Sequence, residues 1–203
     1  MASTTDIVNR ALRLLKAQRI ASLTDGSKNA TVANDIYTGV RDDLLRAHTW
    51  KFATKLTTLG RLAAAPAFEF DYAYSLPADW MRTISLHDND AGLGAVNYRE
   101  AEVANTGALL CSIETAYIKY VYNVTDPNRM ASDFRTALAY ELAVQMPGIA
   151  NLSGAEWERL EKGAQKHLTR AKSADALGTP AQRRPVGSWA SSRNSWPSTR
   201  WPR

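Results

Sequence analysis

The stretch VANDIYTGVRDDLLRAHTWKFATKLTTL, residues 32–59, changes its period halfway along. Up to Leu44 the apolar residues fall three or four apart. Val32, Ile36, Val40 and Leu44 make one stripe and Tyr37 widens it, which predicts a helix over 30–47. Gly39 costs that helix about 1 kcal/mol against Ala, so the reading expects close packing there. After HTWKFA the helical period stops, and from about 52 to 124 the chain reads as strand.

Within that section, YAYSLPADWMRTISLHD suggests a strand into Leu76, a turn at Pro77-Ala78-Asp79, and a strand through Ile84 and Leu86. ALLCSI and TAYIKYVYNV suggest two more. The Gly-containing segments around 91–94 and 105–107 read as loops. Outward from this section, a helix is expected over 5–19, capped by Thr5 or Asp6, with Ile7, Ala11, Leu14 and Leu15 on one face. A third is expected over 132–146, capped near Ser132 or Asp133, with Phe134, Leu138, Leu142 and Met146 in a row. The fourth, 154–177, carries Trp157, Leu160, Ala164, Leu168 and Ala171, and Gly178-Thr179-Pro180 stops it. The fold expected is α+β but mainly α. Its body, residues 1–177, is an antiparallel four-helix bundle with a β-rich insertion between helices two and three. An extended tail, 178–203, follows it.

The charge is unevenly spread. The 203 residues carry a net +5, yet every surplus cation lies past residue 177, where five Arg stand with no acid. The remainder holds 20 basic and 20 acidic residues, a neutral body without the basic excess that a DNA-binding domain shows. A single cysteine, Cys111, allows no intrachain disulfide. The N-terminus lacks the apolar core of a secretory signal, and no run approaches the roughly 18 apolar residues of a membrane span. The expectation is a soluble product made in a reducing cytoplasm.

Chemistry is sparse. His48, His87 and His167 stand far apart with no metal-ligand spacing, and one Cys makes no zinc site. Neither a phosphate-cradling glycine loop nor a nucleophile elbow occurs. Asp42-Asp43 and Asp88/Asp90 are explained by a solvated helix face and a turn. Cys111 sits in an apolar run that suits a buried thiol. The tyrosines of AYIKYVYNV resemble a base-stacking platform, but their alternation is what a packed strand shows. The expectation is no enzyme, no catalytic residue, no metal and no cofactor.

Three blocks in order carry a resemblance. In residues 32–59, Asn34, Tyr37, Arg41, Asp42, Leu44, Leu45, Arg46, His48, Trp50, Phe52 and Ala53 fit a pattern A-N-x-x-Y-x-x-x-R-D-x-L-L-R followed by H-P-W-N-F-A; Thr49 and Lys51 replace its Pro and Asn. YAYSLPADWMRTISL supplies Pro77 and Asp79, and YVYNVTDPNRMASDFRTALAYELA supplies Asp126 and Pro127. Together they resemble the head-to-tail adaptor family of short-tailed bacteriophages (connector, tail tubular protein A-like) over about 5–176. These motifs are structural rather than catalytic.

The resemblance implies a structural virion protein of the head-tail junction, assembled in the host cytoplasm. It implies a homo-oligomeric ring of about twelve copies beneath the portal protein. Such a ring extends the DNA channel, lets packaged DNA through without sequence-specific binding, and gives the tail nozzle protein its attachment surface. It makes no membrane contact. The long segments 63–72 and 87–106 are the candidate nozzle-facing loops. The tail is expected to anchor on the portal through Arg183, Arg184, Trp189, Arg193, Trp196, Arg200 and Trp201, since Trp and Arg are the residues most enriched at binding hot spots. The alternative is a nucleic-acid-binding accessory protein using the same basic, aromatic tail.

Overall fold

Ser3 opens the first helix by a capping box: its Oγ accepts from the Asp6 amide at 3.0 Å, and the Asp6 carboxylate accepts from the Ser3 amide at 2.9 Å. In the computed structural model, which describes residues 2–92 and 94–177, the helix α1 is Thr4–Leu14, shorter than the 5–19 expected. It ends in a Schellman turn. Lys16 takes a left-handed φ of 54°, and the Ala17 amide reaches back to the Leu12 carbonyl at 2.9 Å. Asn9 then grips the departing chain, exchanging hydrogen bonds of 2.9 and 3.0 Å with the Ile20 backbone.

Helix α2, Lys28–Arg46, is capped by Ser27. Its buried face is Ala30, Ala33, Tyr37, Val40, Leu44 and Leu45, with Arg41 laid against it. Gly39 does not show the expected close approach: a Cβ built there meets nothing within 4 Å. Helix α3, Ser132–Val144, starts at Ala131 without a side-chain cap, and helix α4 is Gly154–Leu177. The expected row Phe134, Leu138, Leu142 and Met146 is buried throughout. Helix α3 is the hub, with α1, α2 and α4 all packed on it. Its alanines at 137, 139 and 143 are fully buried and allow close helix approach.

Six strands follow α2: β1 Thr54–Thr58, β2 Tyr72–Ser75, β3 Trp80–His87, β4 Arg99–Val103, β5 Thr106–Cys111 and β6 Tyr117–Tyr122. They form two antiparallel three-stranded sheets, β1-β6-β3 and β2-β5-β4. The turn at Pro77 thus does not close a hairpin; it passes the chain from one sheet to the other. Strand β4 lies in the segment 87–106 read as a loop. It pairs with β5 through a two-residue turn in which Ala104 and Asn105 have φ of 49° and 61°.

The mainly-α bundle with a β excursion is therefore wrong. Among the described residues helix makes up 42% and strand 20%, in four helices and two sheets. The sheets are not an excursion from a helical core but part of its wall. Leu86, Ile118, Tyr120, Val121 and Tyr122 are buried in the same apolar cluster as Leu45, Phe134 and Leu138. Strand β5 serves two sides. Leu109 and Cys111 face that cluster, while Ala108 and Leu110 join Ala73 in a smaller one. The helices alone do not close the core, so the sheet side chains complete it.

Candidate functional site

Side chains from all three blocks meet at one seam, where α2 runs out, the sheet β1-β6-β3 begins and α3 starts. After Arg46 the chain turns and Trp50 folds back under the helix it has left. Its Nε1 donates to the Leu44 carbonyl at 2.8 Å, one of the terminal carbonyls an α-helix leaves unpaired. The indole is 1% exposed. His48 meets it edge-on at 4.7 Å between ring centroids, and Phe134 of α3 does so at 5.0 Å. Phe52 completes the group, 5.9 Å from Trp50 and 5.0 Å from Phe134. From α4, Asp175 accepts from the Lys51 amide at 3.1 Å, and its other oxygen lies 3.4 Å from His48 Nε2.

On the sheet side Asp79 is the node. Its carbonyl accepts from the Asn123 amide at 2.8 Å, one carboxylate oxygen accepts from the Tyr120 hydroxyl at 3.0 Å, and the other pairs with Lys55. Burial pushes the Asp79 carboxyl up, but the hydrogen bonds from Lys55 and Tyr120 outweigh it and leave the group below its ordinary value. The same contact acts oppositely on its partner: burial, then the Asp79 bond and charge, push Tyr120 up to about 12. Next along β6, the Tyr122 hydroxyl donates to the Phe52 carbonyl at 3.3 Å, and Lys55 Nζ sits 4.1 Å over the Tyr122 ring.

The third block turns on Asp126, whose Oδ1 accepts from the Asn128 amide at 2.9 Å. The Asn128 backbone and side-chain bonds hold this carboxyl below its usual range. Pro127 offers its carbonyl to Arg135 at 3.0 Å, which locks the turn onto α3. Pro77 likewise accepts from the Trp80 amide at 2.9 Å, closing the turn that enters β3. Of the α2 motif residues, Tyr37 is buried in the core, and Arg41 lies against its neighbour Asp42 at 2.7 Å. Asn34 is exposed on the outer face and joins no cluster.

The seam thus gathers His48, Trp50, Phe52 and Asp79, together with Lys55, Tyr120, Tyr122, Phe134 and Asp175, to which the motif pattern assigns no role; Asp126 and Pro127 form the separate turn that leads into α3. Beside it lies a cleft of about 290 Å3, floored by Trp50 and Phe134 and walled by Ala171 and Ala174 of α4, with Asp133, Asp175 and Lys51 at its rim. The seven tail residues Arg183, Arg184, Trp189, Arg193, Trp196, Arg200 and Trp201 lie outside the described residues.

The remaining candidates are packed or tied. His167 stacks on Tyr140 at 4.3 Å; burial, with Arg10, Arg170 and Lys166 around it, holds its pKa below the usual value. His87 bonds the Gly94 carbonyl at 3.0 Å and Ser85 Oγ at 2.9 Å. Cys111 is fully buried, which pushes its thiol up. Among the described residues, no three His, Cys, Asp or Glu side chains come together to hold a metal ion. No helix among them is long and apolar enough to cross a membrane. What the seam does chemically is hold elements in register: its hydrogen bonds run to backbone or to side chains of neighbouring elements, while the buried His48 Nε2 and Tyr37 hydroxyl have no hydrogen-bond partner among the described residues. No family model matches the chain, and no curated protein matches it.

Proposed function

We propose that the chain is a structural head-to-tail adaptor of a virion. Copies of it assemble into a ring beneath the portal, extend the DNA channel and present the surface on which the tail nozzle builds. Its Arg- and Trp-rich C-terminal segment anchors the ring to the portal. The observation that carries this reading is the convergence of the three matched blocks. Residues of the three blocks as far apart in the chain as Trp50 and Phe134 touch at one seam, which supports reading the blocks as one structural unit. A body whose motif residues are spent on architecture suits a protein whose work is making interfaces.

The test is co-sedimentation with the portal ring of the same virion. The full chain is compared with one in which Trp189, Trp196 and Trp201 are Ser. Stoichiometric binding that the substitutions abolish supports the adaptor reading and its anchor. Equal binding by both moves the docking to the body, and no binding by either overturns the reading. One observation favours the alternative, nucleic-acid binding by the tail: five Arg with no acid from residue 178 on. Neutralising several phosphates would make that affinity fall steeply with salt, whereas an indole-anchored protein contact falls little.

A further inference from the structure

The body carries no net charge, but the fold does not spread its charges evenly. Helices α1 and α4 flank one stripe of α3. Arg10 of α1 donates to Thr136 Oγ1 at 2.8 Å, and Tyr140, one turn further along α3, stacks on His167 of α4 at 4.3 Å. Thr136, Tyr140 and His167 are half-buried and floor a shallow groove between the two outer helices. Lys16, just past α1, pairs with Glu156 at the start of α4 and closes one end. Two open hollows mark the groove. One, of about 220 Å3, is lined by Arg10, Arg13 and Arg135; the other, of about 250 Å3, by Tyr140 and Arg159.

The sides of this groove are cationic. On α4, Arg159, Lys166 and Arg170 recur seven and four apart, beside the flank that carries His167. Arg10, Arg170 and Lys166 stand near enough to His167 for their charges, after burial, to hold its pKa down. Among the described residues, none of Arg10, Arg13, Arg135, Arg159, Lys166 and Arg170 forms an ion pair. Of the acids nearby, Asp6 is spent on Ser3 and Glu156 on Lys16 and Ser153, which leaves Asp133, half-buried on the same stripe of α3.

What complements unpaired guanidinium and ammonium groups along two helices is a row of phosphates. From Arg159 to Arg170 the α4 stripe spans about 16 Å, the axial length of about five phosphates on one strand of a duplex. The rings that could stack on bases are engaged, Tyr140 with His167 and the Trp157 indole with Glu161. The groove thus offers charge without a stacking platform, which favours the backbone of a duplex over a single strand.

We infer that the groove between α1 and α4 binds the phosphate backbone of duplex DNA irrespective of sequence, through Arg10, Arg13 and Arg135 on one side and Arg159, Lys166 and Arg170 on the other. The contact belongs to the body and needs neither portal nor ring, so it stands or falls apart from the adaptor reading. Within that reading it names the face turned to the packaged DNA.

Fluorescence anisotropy of a labelled mixed-sequence duplex of about 20 base pairs, titrated with the full chain from about 50 to 200 mM salt, tests it. Arg10→Gln, Lys166→Gln and Arg170→Gln together should weaken binding at least about tenfold at the low-salt end. They should also flatten the slope of log affinity against log salt by about 3, one unit per lost contact. All three residues are exposed, and a parent-like thermal midpoint certifies the fold. Lys166→Gln with Arg170→Gln, which breaks no hydrogen bond, should flatten the slope by about 2. A charge-matched variant on the sheets, Arg61→Gln, Arg99→Gln and Lys119→Gln, should stay within about threefold of the parent. Replacing the five tail Arg by Gln should lower the affinity of parent and groove variant alike and leave their ratio intact. No binding by the parent, or equal binding by parent and groove variant, overturns the inference. An equal loss in the sheet variant overturns it as well, by making the attraction diffuse. So does loss of all binding on removing the tail Arg, which assigns the DNA to the tail, or tighter binding of a single strand than of the duplex.

Discussion

Replacing Gly by Ala at two helix-interior positions gives opposite outcomes, and the structure supplies both signs. In α2, a Cβ on Gly39 meets nothing within 4 Å. Ala there recovers the helix propensity that Gly forfeits, about 1 kcal/mol, and raises the thermal midpoint by about 2–4 °C for a chain of this size. In α4, the same Cβ on Gly163 lands 2.9 Å from Tyr140 Cε1 and 3.3 Å from its Cδ1. Ordinary carbon contacts need about 3.5–4.0 Å, so the ring must retreat by roughly 0.5–1 Å. It has little room, being stacked on His167 at 4.3 Å with 25° between the planes. Overpacking of this kind costs about 1–3 kcal/mol, which exceeds the propensity gain. Gly163→Ala is therefore expected to destabilise by about 1 kcal/mol, a split of about 2 kcal/mol from Gly39→Ala. Urea unfolding of the two variants reads the split directly. In a Tyr140→Ala background the clash is gone, and Gly163→Ala should become stabilising, so the double-mutant cycle isolates the ring contact. If Gly163→Ala stabilises the parent chain as much as Gly39→Ala does, the packing argument is refuted.

Three further outcomes are expected. Trp50→Ala removes the indole that ties α2, α3 and the sheet together and should cost about 3–5 kcal/mol, read by chemical denaturation. Asp79→Ala strands the buried Tyr120 hydroxyl and should cost about 1–3 kcal/mol, whereas Asp79→Asn, which keeps an acceptor and loses only the half-exposed Lys55 pair, should cost at most about 1 kcal/mol. Because the folded Asp79 carboxyl titrates below its unfolded value of 3.8, its contribution is complete above that pH and fades as pH falls through the lower folded value. Midpoints of parent and Asp79→Asn measured from pH 6 down to 2 should converge at the acid end, and a gap that widens there refutes the assignment. Cys111, buried and with its thiol pushed up, should react with a thiol reagent only on unfolding; prompt labelling of the native chain contradicts its placement.

Helix positions were legible because their signals are local. Ile7 and Ala11 on α1, Val40 and Leu44 on α2, and Phe134, Leu138 and Leu142 on α3 declare a buried face by spacing alone and are buried, whereas Leu14, Val32 and Ile36 of the same expected stripes are only half-buried. Where the reading failed, the deciding contact came from elsewhere in the chain. Helix α1 stops at Leu14 although its period runs on, because Lys16 turns left-handed without a glycine to announce it. Strand β4 was missed because its turn is Ala104-Asn105 rather than Asn-Gly, though the alternation of Arg99, Ala101 and Val103 against two glutamates was there to read. At the seam, the motif pattern marked Trp50 and Asp79. It said nothing of Lys55 or Asp175, which are ordinary surface residues until the fold brings them to Asp79 and to the Lys51 amide.

By itself the sequence determined four helices, a β-rich middle, a neutral body and a separate cationic end, because period and composition are properties of neighbouring residues. Only the tertiary structure decided that β2 and β3, adjacent in the chain, belong to different sheets, and that those sheets share the helices' core. Alternation along a strand says which side chains face inward, but it does not name the strand that lies beside it. That choice is made by contacts dozens of residues apart, such as Tyr120 with Asp79 and Tyr122 with Phe52.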